Sequence, residues 1–188
     1  MKVALIPGHT KNAQGATNYK KESEYSWANR ILRLAQKYIP FESVIITRDS
    51  IGIEGAVAQA KKLGCLATYE QHFNWAKSDP ETDIEYLADK RSLESIKFAK
   101  FMAKRENKLY PSFGLRRDQG CFKTTPEDRG GSNVAVALKY GIDYSILAET
   151  QFGNLRNEDS EAIFENDEKT AKFIGEAIRD FFKQEGLA

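Results

Sequence analysis

Five short, mostly apolar runs constrain this chain more than any other feature: Val3–Ile6, Ser43–Thr47, Cys65–Tyr69, Ile84–Ala88 and Tyr144–Ala148. Runs this short that end at polar residues suit strands buried in a largely parallel sheet. Between them the period changes. Glu24, Ala28, Ile31, Leu32, Ala35 and Tyr38 recur every three or four residues and predict a helix that stops at Pro40. Ile53, Ala56, Val57, Ala60 and Leu63 predict a second helix closing at Gly64. Leu93–Ala103, Val134–Leu138 and Glu168–Phe182 predict three more, the last burying Phe173, Ile174, Ala177, Ile178 and Phe181. Strands alternating with helices indicate the α/β class: a three-layer α/β/α domain with a twisted, largely parallel central sheet and helices on both faces. Residues 105–132 collect most of the turn formers and predict a surface loop region.

The chain's 188 residues fall within the range of one domain, expected to span 1–188. With 28 basic against 27 acidic residues, it lacks the strong field that would hold nucleic acid or an anionic bilayer. Cys65 and Cys121 are too few for a disulfide framework and too far apart for a compact zinc knuckle, and are read as reduced thiols. The run Val3–Ile6 is too short for a secretory signal or a membrane span, so the expectation is synthesis in the cytoplasm without stable membrane insertion.

In such a sheet the carboxyl ends of the strands form the usual ligand edge. The expected elements bring four reactive residues there: His9 after the first strand, His72 after the third, Glu149 just after the last, and Glu24 opening the first long helix. Two imidazoles and a carboxylate suit Zn²⁺, leaving a fourth position for water. Each residue also has a plainer reading. A histidine after a strand can cap backbone groups, Glu22 and Glu24 suit a solvated first helical turn, and Glu149 can pair with an arginine. No GxxxxGK[ST] loop occurs, and no dinucleotide fingerprint follows the first strand.

The pieces Val3-Ala-Leu-Ile-Pro-Gly-His9, Gly15-Ala16, Glu24, Ile46-Thr-Arg48, His72-Phe-Asn74 and Ile146-Leu-Ala-Glu149, with Phe152 downstream, run in one order along nearly the whole chain. In that order the sequence resembles the zinc-dependent N-acetylmuramoyl-L-alanine amidases of the amidase 3 type, which cut bacterial peptidoglycan. The resemblance implies that His9, Glu24 and His72 hold Zn²⁺ and that Glu149 is the catalytic carboxylate. It prefers Glu24 to Glu22, which lie roughly 200 degrees apart around a helix, so that only one can face the sheet edge. A helix beginning later than Glu24 would return Glu22 as the ligand. The sequence departs from the family pattern at Thr10, where glycine is common, and at Leu155, where asparagine is usual, with Asn154 and Asn157 flanking it.

Asn74 and Arg129 are the expected substrate contacts, Asn74 to glycan or peptide and Arg129 to peptide carboxylates; Arg116 and Arg117 share the long loop region with Arg129. Trp27 and Trp75 are candidates to border a saccharide or peptide cleft, with core packing the other reading for Trp27. The implied activity is hydrolysis of the amide between the lactyl group of N-acetylmuramic acid and L-alanine. The implied setting is phage lysis: a compact endolysin without a separate wall-binding domain, released by a holin-dependent route onto peptidoglycan. Two other readings are a noncatalytic peptidoglycan-binding module of the same fold and a zinc peptidase acting within the stem peptide.

Overall fold

The structure, a computed structural model, describes residues 1–75, 83–154, 156 and 158–188. Strands β1 (Lys2–Pro7), β2 (Glu42–Ile45), β3 (Ala67–Asn74), β4 (Asp83–Asp89), β5 (Gly114–Leu115), β6 (Cys121–Thr124) and β7 (Tyr144–Phe152) form one sheet in the order β2-β1-β3-β7-β4-β5, with β6 also paired to β4. β2, β1, β3 and β7 run parallel, β4 runs antiparallel to β7, and β5 and β6 run parallel to β4. The sheet is therefore mixed and largely parallel.

Helices cover both faces, as the alternating pattern requires. On one side lie α1 (Glu24–Ala35), α3 (Leu93–Leu109), α5 (Glu158–Phe164) and α6 (Asp167–Gln184), packed over Val3, Leu5, Tyr69, Tyr86 and Ile146. On the other, α2 (Gly52–Lys62) and α4 (Gly131–Lys139) cover Ala4, Ile6, Leu87 and Leu147. Alternate residues of β1 thus enter different cores. A strand buried on both faces has no polar face to display, which is why its run is continuously apolar. Phe98, Phe181 and Phe182 pack against one another where α3 crosses α6, with ring centroids 4.7 to 5.2 Å apart. Each such side chain contributes about 1.5–3 kcal/mol by leaving water. Trp27 is wholly buried in this layer, against Phe73 and Phe164. No helix among the described residues is long and apolar enough to cross a membrane.

Tertiary pairing extends several elements beyond what the local pattern predicts. β3 continues through Glu70, Gln71 and His72, so His72 lies within the strand and not after it. β3 sits between β1 and β7, and its buried polar groups find partners: the Tyr69 hydroxyl donates to Gln71 Oε1 at 2.7 Å, and Gln71 Nε2 donates to Thr150 Oγ1 at 3.3 Å. Glu149 likewise lies within β7. The 105–132 region is not loop throughout, since α3 runs on to Leu109, and β5 and β6 attach to β4. Helix α5 had no clear period to announce it.

Candidate metal centre

Glu24 is the first residue of α1, capped by Ser23, whose hydroxyl accepts the Ser26 N–H. The first turn of a helix favours a carboxylate, and this one turns inward and is almost wholly buried. Its Oε1 accepts the backbone N–H of Phe73 and its Oε2 that of Ala16, both at 3.2 Å. The same two oxygens face the imidazoles: His72 Nδ1 lies 2.7 Å from Oε1, and His9 Nε2 lies 3.0 Å from Oε2. One ligand atom from each of His9, Glu24 and His72 falls within 4.8 Å of the others. Burial alone would lift the Glu24 carboxyl, but hydrogen bonding and charge from His72 and His9 hold it down at about 2.

Glu22 is engaged elsewhere. Arg30 donates to both of its oxygens, at 3.2 and 2.6 Å, so of the two helix-start carboxylates only Glu24 enters the cluster.

Two glycines keep the space open. A Cβ at Gly15, where φ is +76°, would stand 2.6 Å from His9 Nε2 and 2.7 Å from Glu24 Oε2. One at Gly8 would stand 2.7 Å from His72 Nδ1. Any side chain at either position would displace the converging donors. Two imidazoles and one carboxylate, drawn from a strand end, a helix start and a central strand, fit a zinc ion with a coordination position left over.

Glu149 is in register with His72 across the β3–β7 pair, and Glu85 of β4 is in register with Glu149 on its other side. In-register neighbours point to the same face of a sheet, so these side chains stand in one row. Glu149 Oε2 is shut off from solvent and has no hydrogen-bond partner among the described residues. Burial pushes its carboxyl up to about 7, against the pull of the neighbouring His72. Glu85 is occupied by Arg117, whose Nε donates to it at 2.5 Å, with Arg116 3.6 Å away.

A cleft of about 370 Å³ opens beside Glu149, lined by Asn74, Trp75, Glu85, Leu87, Arg116, Arg117, Phe122, Arg129 and Phe152 as well. Asn74 and Arg129 therefore both border it. Trp75 stands 43 % exposed on its wall, whereas Trp27 belongs to the core. Arg117 is held by Glu85 and by the Phe122 ring, 3.6 Å beneath its guanidinium, while Arg129 has no carboxylate partner among the described residues. The departure at Leu155, and Asn157 near it, lie outside the described residues.

Sequence reasoning passed over Glu70. Its buried carboxylate lies 2.8 Å from His72 Nε2 and receives Arg48 and Asn133. The period of a strand could have found it, because residues two apart point to the same face.

No family model matches the sequence, and no curated protein matches it either. Solved structures do match. The N-acetylmuramoyl-L-alanine amidase AmiC2 of Nostoc punctiforme superposes with a TM-score of 0.73 over 97 % of each chain at 19 % identity. That from Clostridium difficile 630 gives 0.73 over 98 % of each chain at 18 % identity. A putative amidase from Neisseria meningitidis gives 0.72 over all of this chain and 97 % of its own at 20 % identity. The chain has the fold of these amidases. Within that fold, His9, Glu24 and His72 form a cluster able to coordinate a metal ion.

Proposed function

We propose that this chain is a zinc-dependent N-acetylmuramoyl-L-alanine amidase, cleaving the amide between the lactyl group of N-acetylmuramic acid and L-alanine. The observation that carries this reading is the convergence of His9, Glu24 and His72 beside a Glu149 oxygen that has no hydrogen-bond partner among the described residues, at the edge of a cleft. His9, Glu24 and His72 hold the ion. Zinc held there would supply Lewis acidity to the hydrolysis. Glu149, whose Oε2 has no hydrogen-bond partner among the described residues, takes a proton from the attacking water and delivers it to the departing alanine amine. Asn74 hydrogen-bonds glycan or peptide, and Arg129 meets a peptide carboxylate.

The biological setting we infer is phage lysis: one catalytic domain spanning 1–188, made in the host cytoplasm and released to the wall by a holin-dependent route. The fold and the lack of a strong overall charge support a wall substrate over nucleic acid.

Digestion of purified peptidoglycan, followed by mass spectrometry, tests the chemistry. Intact stem peptides with free L-alanine amino termini are expected. An L-alanine remnant left on the glycan would mean a peptidase, and binding without any cleavage would mean a noncatalytic module.

A further inference from the structure

We propose that Arg48, Glu70 and Asn133 form a brace behind the metal centre that fixes the tautomer of His72 and ties both histidines into one unit. This rests on the zinc reading above. Arg48 belongs to the Ile46-Thr-Arg48 piece, to which the proposed chemistry gives no part.

Three separate elements deliver the brace: the turn between β2 and α2, strand β3, and the first turns of α4. Glu70 and His72 are two residues apart on β3 and so share a face. Glu70 Oε1 lies 2.8 Å from His72 Nε2 and 2.6 Å from Arg48 Nη1, and Asn133 Nδ2 lies 3.0 and 3.1 Å from the two Glu70 oxygens. An ionised carboxylate accepts and cannot donate. Facing it, His72 Nε2 carries a hydrogen and keeps it when a cation binds; Nδ1, on the side of Glu24 and His9, is the nitrogen that exchanges its hydrogen for the cation. The brace therefore chooses which nitrogen faces the centre.

Arg48 also reaches the other histidine. Its Nε donates to the His9 carbonyl at 3.3 Å, and His9 has a left-handed backbone with φ +64°. That conformation is costly for a residue with a Cβ and persists only where its surroundings hold it. One guanidinium thus pins the backbone of His9 and, through Glu70, the ring of His72. Arg48 and Glu70 side chains are only 13 % and 5 % exposed, so the pair is shielded from solvent. These are positioning residues: Arg48 and Glu70 contact the proposed ligands His9 and His72, and Asn133 contacts Glu70.

The test uses the full chain and zinc alone. Zinc affinity by chelator competition, metal-free thermal melting, and ¹⁵N spectra of the histidine rings are measured for wild type, Glu70→Ala, Glu70→Gln and Arg48→Lys. Loss of an outer partner of a metal-bound histidine typically weakens binding about 10–100-fold. That loss is expected for Glu70→Ala, with the His72 Nε2–H resonance losing its single bonded signature. Glu70→Gln, whose amide oxygen still accepts that hydrogen, should recover much of the affinity and the tautomer. Arg48→Lys cannot contact Glu70 and the His9 carbonyl in the same forked way, and should weaken zinc about tenfold. Should Glu70→Ala fail to fold, the Gln and Lys variants decide. Wild-type zinc affinity with an unchanged His72 spectrum in the folded variants overturns the brace while leaving the metal centre standing. Failure of the wild-type chain to bind zinc removes both.

Discussion

His72 and Glu149 are register partners on adjacent parallel strands, β3 and β7, and the irregularity in that pairing begins just beyond them, between His72 and Asn74. The sheet therefore carries a proposed ligand and the proposed acid/base next to each other on paired strands. Their separation is set by backbone hydrogen bonds, and only Glu24 and His9 have to be brought in from outside the strands.

Glu149→Gln keeps the size and burial of the side chain but removes its basicity. Amide cleavage is expected to fall at least 10²-fold, in the range typical of a lost general acid/base, with zinc content and melting temperature retained. Release of L-alanine amino termini and metal analysis measure this. Full turnover by the variant would remove Glu149 from the chemistry.

Zinc uptake should release close to one proton per site near pH 7. Burial disfavours the charged form of His72, but hydrogen bonds to Glu24 and Glu70 raise its pKa to about 10 without metal, whereas Glu24 at about 2 is already ionised. A ligating nitrogen must give up its proton. Calorimetric titration in buffers of different ionisation enthalpy counts the protons; a count of zero at pH 7 contradicts the assignment of His72.

Gly15→Ala places a methyl group against His9 and Glu24 at a left-handed backbone position. Zinc affinity should drop about tenfold or more, because an alanine at positive φ is strained and the donors must also spread. Unchanged affinity would show that the ion does not sit among these groups.

Arg129→Ala removes an exposed arginine that makes no ion pair among the described residues, although its charge acts on Glu149. The Michaelis constant should rise about tenfold while kcat and zinc affinity hold, the pattern of lost uniform binding. An unchanged Michaelis constant on peptidoglycan fragments would take Arg129 out of substrate recognition.

Glu106 offers a stability test remote from the metal centre. It is buried on α3, accepts the Tyr86 hydroxyl at 2.6 Å, and is pushed by burial up to about 8 from an ordinary 4.5. A folded-state pKa above the unfolded value contributes stability that is complete below about 4.5 and is lost as pH rises through about 8. Within that window the loss is about 1.4 kcal/mol per pH unit. Urea unfolding of metal-free protein from pH 5 to 8 should show a steeper decline for wild type than for Glu106→Gln. Parallel slopes would mean Glu106 is ionised in the fold.

How much was legible depended on whether the signal was local. The Glu24 helix start was readable because the apolar stripe Ala28, Ile31, Leu32 and Ala35 lies within a few turns of it. The polar end of β3 was not, because Glu70, Gln71 and His72 look like a strand terminus until Arg48, Thr150 and Asn133 are brought to them. β5 and β6 were missed for a related reason, being short strands that persist by pairing with β4. Only the resemblance preferred Glu24 to Glu22; α1 begins at Glu24, so Glu22 lies before the helix, and its contacts with Arg30 show where it goes.

By itself the sequence determined the layered α/β class and the burial of the strands on both faces. It also placed His9 and Glu24 at the ends of the elements that carry them, since periodicity is a property of neighbouring residues. Tertiary structure alone decided that Glu149 Oε2 has no hydrogen-bond partner among the described residues, that Arg117 and not Arg129 pairs with Glu85, and that a buried glutamate stands behind His72. Those outcomes depend on which distant side chains reach one another, and a linear pattern carries no record of that.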